Sequence, residues 1–453
     1  MFSVLAHPAY RRLFAAQVLS LLGTGLTTVA LGLLAYDLAG AQAGLVLGTA
    51  LALKMVVYVS VAPVAELVAR RLPRKAYLVT LDLLRAAFVL VLPFVTEVWQ
   101  IYVLIVLFQS CSAGFTPVFQ AIIPDLIDTE EAYTKALSLS RLAYDTEALL
   151  SPLLAGLLLS LISFHWLFVG TTLGFLASAL LVAAAALPGL QAVSDPSGFR
   201  RKLLRGSWIY LATPRLRGLL ALSFAVASAG AMVIVNTVVL VQDRFGGTEQ
   251  QVAMLFASYG AGSMAVALGL PHLLHLVPER SAMLGGAAGL AIGMCCIPFL
   301  PGLAPAFGLW AFLGAAAALV QTPAGLLLRR SAHAEDRPAV FAAQFALSHA
   351  CWLVSYPLAG WGGVALGLSA ISFVLAACVV GAIVTAVRLW PESDPLVIEH
   401  EHEEVEHEHG PRAGPHHALG QLEGPATGRH RHRRIRHTHT FVIDDHHPVW
   451  PRS

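Results

Sequence analysis

Charged residues are sparse from the start of the chain to about residue 390, where they sit in short clusters between long apolar runs. The run LFAAQVLSLLGTGLTTVALGLLAYDL (13–38) carries its one charge, Asp37, beside its end. About 20 apolar residues wound as a helix cross a ~30 Å hydrocarbon core, so a run of this length predicts a transmembrane helix. Twelve such runs follow one another, at 13–38, 44–69, 76–95, 99–121, 136–161, 164–187, 217–242, 250–270, 282–300, 303–328, 339–362 and 365–390. Beyond them the pattern inverts: IEHEHEEVEHEHG (398–410) sets four histidines among six glutamates.

Composition assigns the runs to a bilayer rather than to a large soluble core. Only 12% of residues are charged, against about 25% in ordinary domains, and the mean hydropathy is +0.70. The opening MFSVLAHPAYRR has no cleavable signal pattern, so the first run is expected to remain as a span. With both termini on the cytoplasmic side, the inner loops hold Arg11, Arg12, Arg70, Arg71, Arg74, Lys75, Lys135, Arg200, Arg201, Lys202, Arg205, Arg215, Arg217, Arg280, Arg329, Arg330 and Arg337. The outer loops hold Arg244 alone. This bias supports an even number of spans and a cytoplasmic tail, as in a multi-pass protein of a bacterial-type inner membrane. Basic residues used in this way give no sign of a nucleic-acid partner. The cysteines (Cys111, Cys295, Cys296, Cys351, Cys378) all fall inside predicted spans, where they read as packing residues rather than as disulfides or a zinc framework.

The chain also matches itself at a nearly constant offset. Pro73 in LPRK and Pro278 in VPER lie 205 apart, as do LPF (92–94) and IPF (297–299), and Pro152 of PLLAG and Pro357 of PLAG. Asp37 and Asp243 lie 206 apart, as do the two Thr-Pro pairs at 116 and 322. The predicted organisation is a six-helix half (1–187), a basic cytoplasmic linker with an amphipathic segment (188–216), a second six-helix half (217–390) and a His-rich tail (391–453). Parallel six-helix repeats about an axis along the membrane normal are the plan of a rocking transporter, with its site between the halves.

Embedded charges mark candidate positions, because each costs about 2.5–3.5 kcal/mol at mid-membrane on insertion scales. Span five carries Arg141, Asp145 and Glu147. Arg141 and Asp145, four apart, can neutralise one another; Glu147 points elsewhere, beside Tyr144 and Ser151, with no partner on its own helix. Span eleven, LSHACWLVSYPLAG (347–360), places His349 and Tyr356 on one face and Cys351 with Ser355 on the next. Under the offset His349 is the counterpart of Tyr144. Imidazole, thiol and carboxylate together suit a borderline divalent cation, whereas a lone His in an apolar helix is more often a packing residue. Lys54, Gln109, Asn236, Gln321 and Gln344 read as hydrogen-bond links between helices.

In the tail, histidines fall in pairs: His400/His402, His407/His409, His416/His417, His430/His432, His437/His439 and His446/His447. Gly, Pro, Glu and Arg dominate between them, so the segment is expected to be disordered when empty. Imidazoles two apart can close on one ion, and a tail without Cys or Met disfavours Cu(I). A pH-sensitive surface is the competing reading, since free His titrates near 6.5.

Over roughly residues 8–390 the sequence resembles the major facilitator superfamily. FTPVFQAIIPDLIDTEEAYTKALSLSRLAYDTEALLSPLLAG (115–156) and DLLRA (82–86) resemble its branch of siderophore and macrolide exporters. The loop ELVARRLPRK (66–75) departs from the superfamily's Gly-x-x-x-Asp-Arg pattern: Glu66 and Arg70 stand where Gly and Asp are usual, with Arg71 and Arg74 completing a cytoplasmic gate loop. With the tail, SRLAYDTEALLSPLLAG and LSHACWLVSYPLAGW resemble the superfamily's nickel-resistance exporters. That resemblance implies a monomeric, proton-coupled exporter of Ni²⁺, with Co²⁺ or Zn²⁺ as alternatives, in which the metal is both substrate and tail ligand and no cofactor is required. The alternatives are efflux of a siderophore or drug with the tail as regulator, and a membrane-anchored metal sensor or store. No G-x-x-x-x-G-K-[ST] loop and no nucleophile–base set outside the bilayer is found, which argues against an ATPase or an enzyme.

Overall fold

Each apolar run folds as a helix. In the computed structural model of the protein, described residues are 2–69, 72–127, 130–187, 205–333, 336–392, 397–402, 405–409, 422–423, 428–432, 435–440, 442–443 and 450, with the backbone course alone for much of 62–69, 130–149, 270–276 and the tail. The first half consists of α1 (Pro8–Ala39), α2 (Ala43–Ala69), α3 (Arg74–Val91), α4 (Val98–Leu126), α5 (Glu130–Leu159) and α6 (His165–Ala184). A short helix α7 (205–212) precedes the second half. That half holds α8 (Pro214–Val239), α9 (Glu249–Leu276), α10 (Glu279–Cys296), α11 (Leu303–Gln321) with its extension α12 (Ala324–Arg330), and α13 (Arg337–Leu389).

Among the described residues, nine segments are long and apolar enough to span a membrane, and they account for eleven crossings. Pro8–Tyr58 runs from α1 into α2, and Ala339–Leu389 holds two passes broken at Gly367, whose φ of +81° suits glycine. The twelfth crossing is α5, which fails the apolar criterion because of the acidic and basic residues that sequence analysis singled out.

The internal repeat reappears as repeated local structure. Pro73 and Pro278 stand at the N-caps of α3 and α10, each with φ −56°. LPF and IPF each form a single 3₁₀ turn at the far ends of those helices. Pro152 and Pro357 lie inside α5 and α13. Loop cations close helix ends: Lys75 Nζ donates to Ala183 O at 3.0 Å and Arg12 Nη1 to Ala184 O at 2.5 Å, where the α6 carbonyls lack intrahelical donors. In the second half Arg330 pairs with Glu279 at 2.8 Å, and Arg205 of α7 with Asp336 at 2.8 Å, tying the linker to the base of α13.

The DLLRA stretch holds an ion pair sealed inside the first half. Asp82 (0% exposed) pairs with Arg85 (4% exposed) and accepts from Ser178 Oγ at 2.8 Å, while the guanidinium lies 4.1 Å over the Phe115 ring and 4.6 Å over Phe175.

Within the tail, the described residues form short paired strands. β1 (Val397–His402) pairs antiparallel with β5 (Ile435–Thr440), and β2 (Val405–His409) with β4 (Gly428–His432), which β3 (Leu422–Glu423) flanks. The cause is a period-two alternation of His with Glu in one arm and with Arg or Thr in the other, which suits extended, paired backbone. After β5 the chain returns to the body: Val442 and Ile443 are buried, and Arg215 lies 5.0 Å from the Trp450 ring.

Removing one partner of a buried ion pair strands the other. Asp82→Asn is expected to destabilise the first half by about 3–5 kcal/mol, read as a lowered unfolding temperature in detergent. An Asp82→Asn/Arg85→Gln double variant should recover part of the loss; recovery of none would show that the carboxylate acts through Ser178 instead.

Candidate transport site

The halves meet through small residues. The Gly32 Cα of α1 faces Val238 of α8, with 3.0 Å between a Cβ built there and Cγ2. A Cβ at Gly156 of α5 would lie 3.6 Å from Ala253 of α9. The tightest approach is between α2 and α13: a Cβ on Gly48 would stand 2.7 Å from the Tyr356 carbonyl, and one on Gly360 would collide with the Gly44 carbonyl. Close backbone contact of this kind is how small residues join membrane helices. All these contacts lie toward the membrane face that carries the α1–α2 turn, so the halves are shut on that side.

Deeper between the helices is a cavity of about 440 Å³. Thr24, Thr27 and Thr28 of α1, Lys54 of α2 and Gln109 of α4 give it polar walls, and Ile234 of α8 brings in the second half. Thr24 and Thr28 hydroxyls donate to Ser20 O (2.9 Å) and Thr24 O (3.0 Å) on their own helix, so the oxygens retain acceptor capacity.

Glu147 comes to this region from α5. Its Oε1 would be 2.7 Å from a Cβ on Gly25, which leaves room for the carboxylate only because α1 has glycine there. Ser151, one turn on, packs on the same glycine and directs its hydroxyl to Leu22 O at 3.5 Å. Glu147 is within electrostatic reach of Lys54, and Lys54 in turn of His349 on α13. The His349 ring lies 3.9 Å from the Phe345 ring and 6.4 Å from Tyr58, one turn beyond Lys54. His349 Nδ1 sits 2.7 Å from Phe345 O, an arrangement that makes Nδ1–H the donor and leaves Nε2 available. A carboxylate from one half and an imidazole from the other thus share one lysine.

The remaining candidates distribute differently. Cys351 turns away from His349: its thiol donates to Leu347 O at 3.4 Å and it neighbours Tyr210 of α7. Tyr356 is buried beside Trp352, ring centroids 5.0 Å apart, and near Tyr259. Among the described residues no three His, Cys, Asp or Glu side chains form a metal-holding group. The side chains of Arg141, Tyr144, Asp145, Glu66 and all the tail histidines, and Arg70 and Arg71 altogether, lie outside the described residues. Arg74 is described, at the first position of α3.

Lys54 is what sequence reasoning placed wrongly, as a link between helices. Its one signal was a lysine in the middle of an apolar run. Asn236 and Gln344 do act as links: Asn236 Nδ2 donates to Ala359 O at 3.0 Å, and Gln344 joins Tyr210 to Ser223.

The profile described as Major Facilitator Superfamily matches residues 13–246 and again 219–435. No curated protein matches the chain in sequence. Among solved structures, a point mutant of the nucleoside transporter NupG is similar with a TM-score of 0.64 at 12% identity, over 84% of this chain and 100% of that one. A bacterial homologue of the human lysosomal transporter Spinster, inward-facing and unoccupied, gives 0.65 at 16% identity, over 86% and 96%. A D-xylose–proton symporter gives 0.64 at 14%, over 85% and 98%. Identities this low speak for the fold and not for the cargo.

Leucine at Gly48 or Gly360 has no room in the closed interface. Either variant is expected to hold that face of the membrane open, so that a cysteine placed at Thr49 reacts with a membrane-impermeant maleimide faster than in the parent. Unchanged labelling would show that α2 and α13 do not form the seal.

Proposed function

The chain belongs to the Major Facilitator Superfamily, and we propose that it is a secondary-active exporter of a divalent transition metal, Ni²⁺ first and Co²⁺ as the alternative, in exchange for protons. The observation that carries the reading is the approach of Glu147 and His349, from opposite halves, to the same lysine. Carboxylate and imidazole ligate such cations when deprotonated and release them when protonated, which makes protons from the far side the natural displacing agent. Lys54 supplies the balancing positive charge when no cargo is present, so the empty site need not leave a bare carboxylate in the membrane. Cation binding must then displace the ammonium, coupling occupancy to a shift of α2 against α5 and α13.

The basic loop residues support a bacterial-type inner membrane with both termini in the cytoplasm. The closed α2–α13 contact then lies on the outer face, and the cavity serves cargo arriving from inside. The tail, on that same side, binds the metal through its imidazoles. Monomeric action with no resident cofactor or nucleotide fits the duplicated halves, since the site lies between parts of one chain.

One observation favours a second reading. A volume of about 440 Å³ falls in the range of about 300–1,000 Å³ typical of organic ligands, and Lys54 with three threonines suits an anionic or hydroxylated molecule. The protein would then export a siderophore-like compound, with the tail as a metal-responsive regulator.

Inside-out vesicles with an imposed proton gradient separate the two. Radioactive nickel should accumulate only with the gradient, cobalt should compete better than zinc, and Glu147→Gln should reduce uptake to background while the protein stays in the membrane. Lys54→Met should retain metal binding but slow turnover. Full nickel uptake by Glu147→Gln would remove that carboxylate from the mechanism; gradient-driven uptake of a siderophore without nickel would select the second reading.

A further inference from the structure

The two tail ladders share one register rule: partner numbers add to 837 in β1/β5, as in His400 with His437, and in β2/β4, as in His407 with His430. Antiparallel partners lie on the same face of a ladder, and so do residues two apart. In the first ladder one face therefore carries His400, His402, His437 and His439, together with Ile398 and Ile435. The opposite face sets Glu401 against Arg436 and Glu399 against Thr438. The second ladder repeats the scheme. His407, His409, His430 and His432 share a face with Val405 and Gly428, while Glu406 is the partner of Arg431 and Glu408 of Arg429. β3 adds Glu423 beside Arg431 on the open edge of β4.

Within each ladder the imidazole-bearing positions form the same figure. One cross-arm pair stands directly opposite, His400/His437 or His407/His430, and the other two histidines flank it on diagonals. Directly opposed Cβ atoms are about 4.5–5.5 Å apart and diagonal neighbours somewhat farther. Imidazole arms of that reach can close on an ion with bonds of about 2.0–2.1 Å. The charged face fixes the pairing: slipping the register by one residue would set Glu and Arg against His and move each set to the wrong side. Opposed Glu and Arg thus bring the arms together, and imidazoles on the other face meet.

We propose that each ladder is a separate transition-metal site, one ion held between the two arms by the cross-arm pair His400/His437 or His407/His430 with a flanking histidine as further ligand. The inference rests on the reading of the tail as a metal binder, and adds which histidines act together and that the ion spans both arms. The ligand class is a borderline divalent cation that accepts imidazole: Ni²⁺, Zn²⁺ or Co²⁺. His416, His417, His446 and His447 stand outside both ladders and are not needed. Because the chain beyond β5 is seated on the body through Ile443 and through Trp450 on Arg215, while β1 follows closely on the buried Trp390, both arms are fastened at the base of the second half.

The test is metal stoichiometry of the full-length protein in detergent, titrated with NiCl₂ or ZnCl₂. The expected result is one tightly held ion per ladder. His400→Ala/His437→Ala should remove one ion and leave the other, and adding His407→Ala/His430→Ala should remove both. Replacing His416, His417, His446 and His447 together by alanine should remove none. Loss in proportion to the number of histidines replaced, whatever their position, overturns the proposal. The register is tested without metal: His400→Cys/His437→Cys should form a cross-arm disulfide on mild oxidation, seen by peptide mapping, and His400→Cys/Arg436→Cys should not. A disulfide without any bound metal would retain the ladder but overturn the site, and with it the reading of the tail as a metal binder. Position-specific metal binding in a protein whose vesicles take up no nickel would leave the proposal standing and overturn the exporter.

Discussion

Removal of water from the bilayer core is the constraint on which the rest depends. Backbone amides and carbonyls there have no solvent to bond, so helices must satisfy them internally, and any polar side chain must find its partner in another helix. The chain meets the first demand with helices from α1 to α13 and the second in three distinct ways. Asp82 and Arg85 neutralise each other within one half, under two aromatic rings. Asn236 and Gln344 bind helices that stay together. Glu147, Lys54 and His349 alone draw their balance from across the boundary between halves.

That difference separates structural polarity from working polarity. A pair closed within one half is indifferent to how the halves rock. A charge whose partner lies on the far side is not, since each rearrangement changes what balances it. Helix α5 departs from the apolar rule that the other crossings obey, and it does so where it faces the first helix through Gly25. The glycine contacts between α2 and α13 work in the opposite sense: they carry no charge, depend only on surfaces fitting closely, and can part without exposing an unpaired group.

The helices and the repeat were legible in the sequence because both are local patterns: apolar length decides a span, and proline at Pro73 and Pro278 or in LPF and IPF decides a helix end wherever it occurs. Glu147 and His349 were legible as anomalies, each a polar group without an obvious partner nearby in sequence. Lys54 was not, because its meaning comes from two residues far along the chain. Cys351 was grouped with His349 by helical spacing, yet a difference of two residues turns it to another neighbour, Tyr210. The strands of the tail were missed for a similar reason. Composition marked the histidines as ligands, but the structural signal was the complementarity of two stretches about thirty residues apart, Glu in one and Arg in the other.

The seating of Trp450 on Arg215 makes the last sixty residues a closed loop rather than a free end. A free tail of that length would sweep a wide hemisphere, whereas a loop pinned at Trp390 and at Ile443 is confined near the base of α8 and α13. Short tethers of this kind hold local concentrations on the order of millimolar. At such concentrations an ion let go by the loop meets the mouth of the cavity again and again before it diffuses into the bulk. Weak, fast-exchanging sites then serve better than tight ones, because the protein gains from how soon each ion is surrendered.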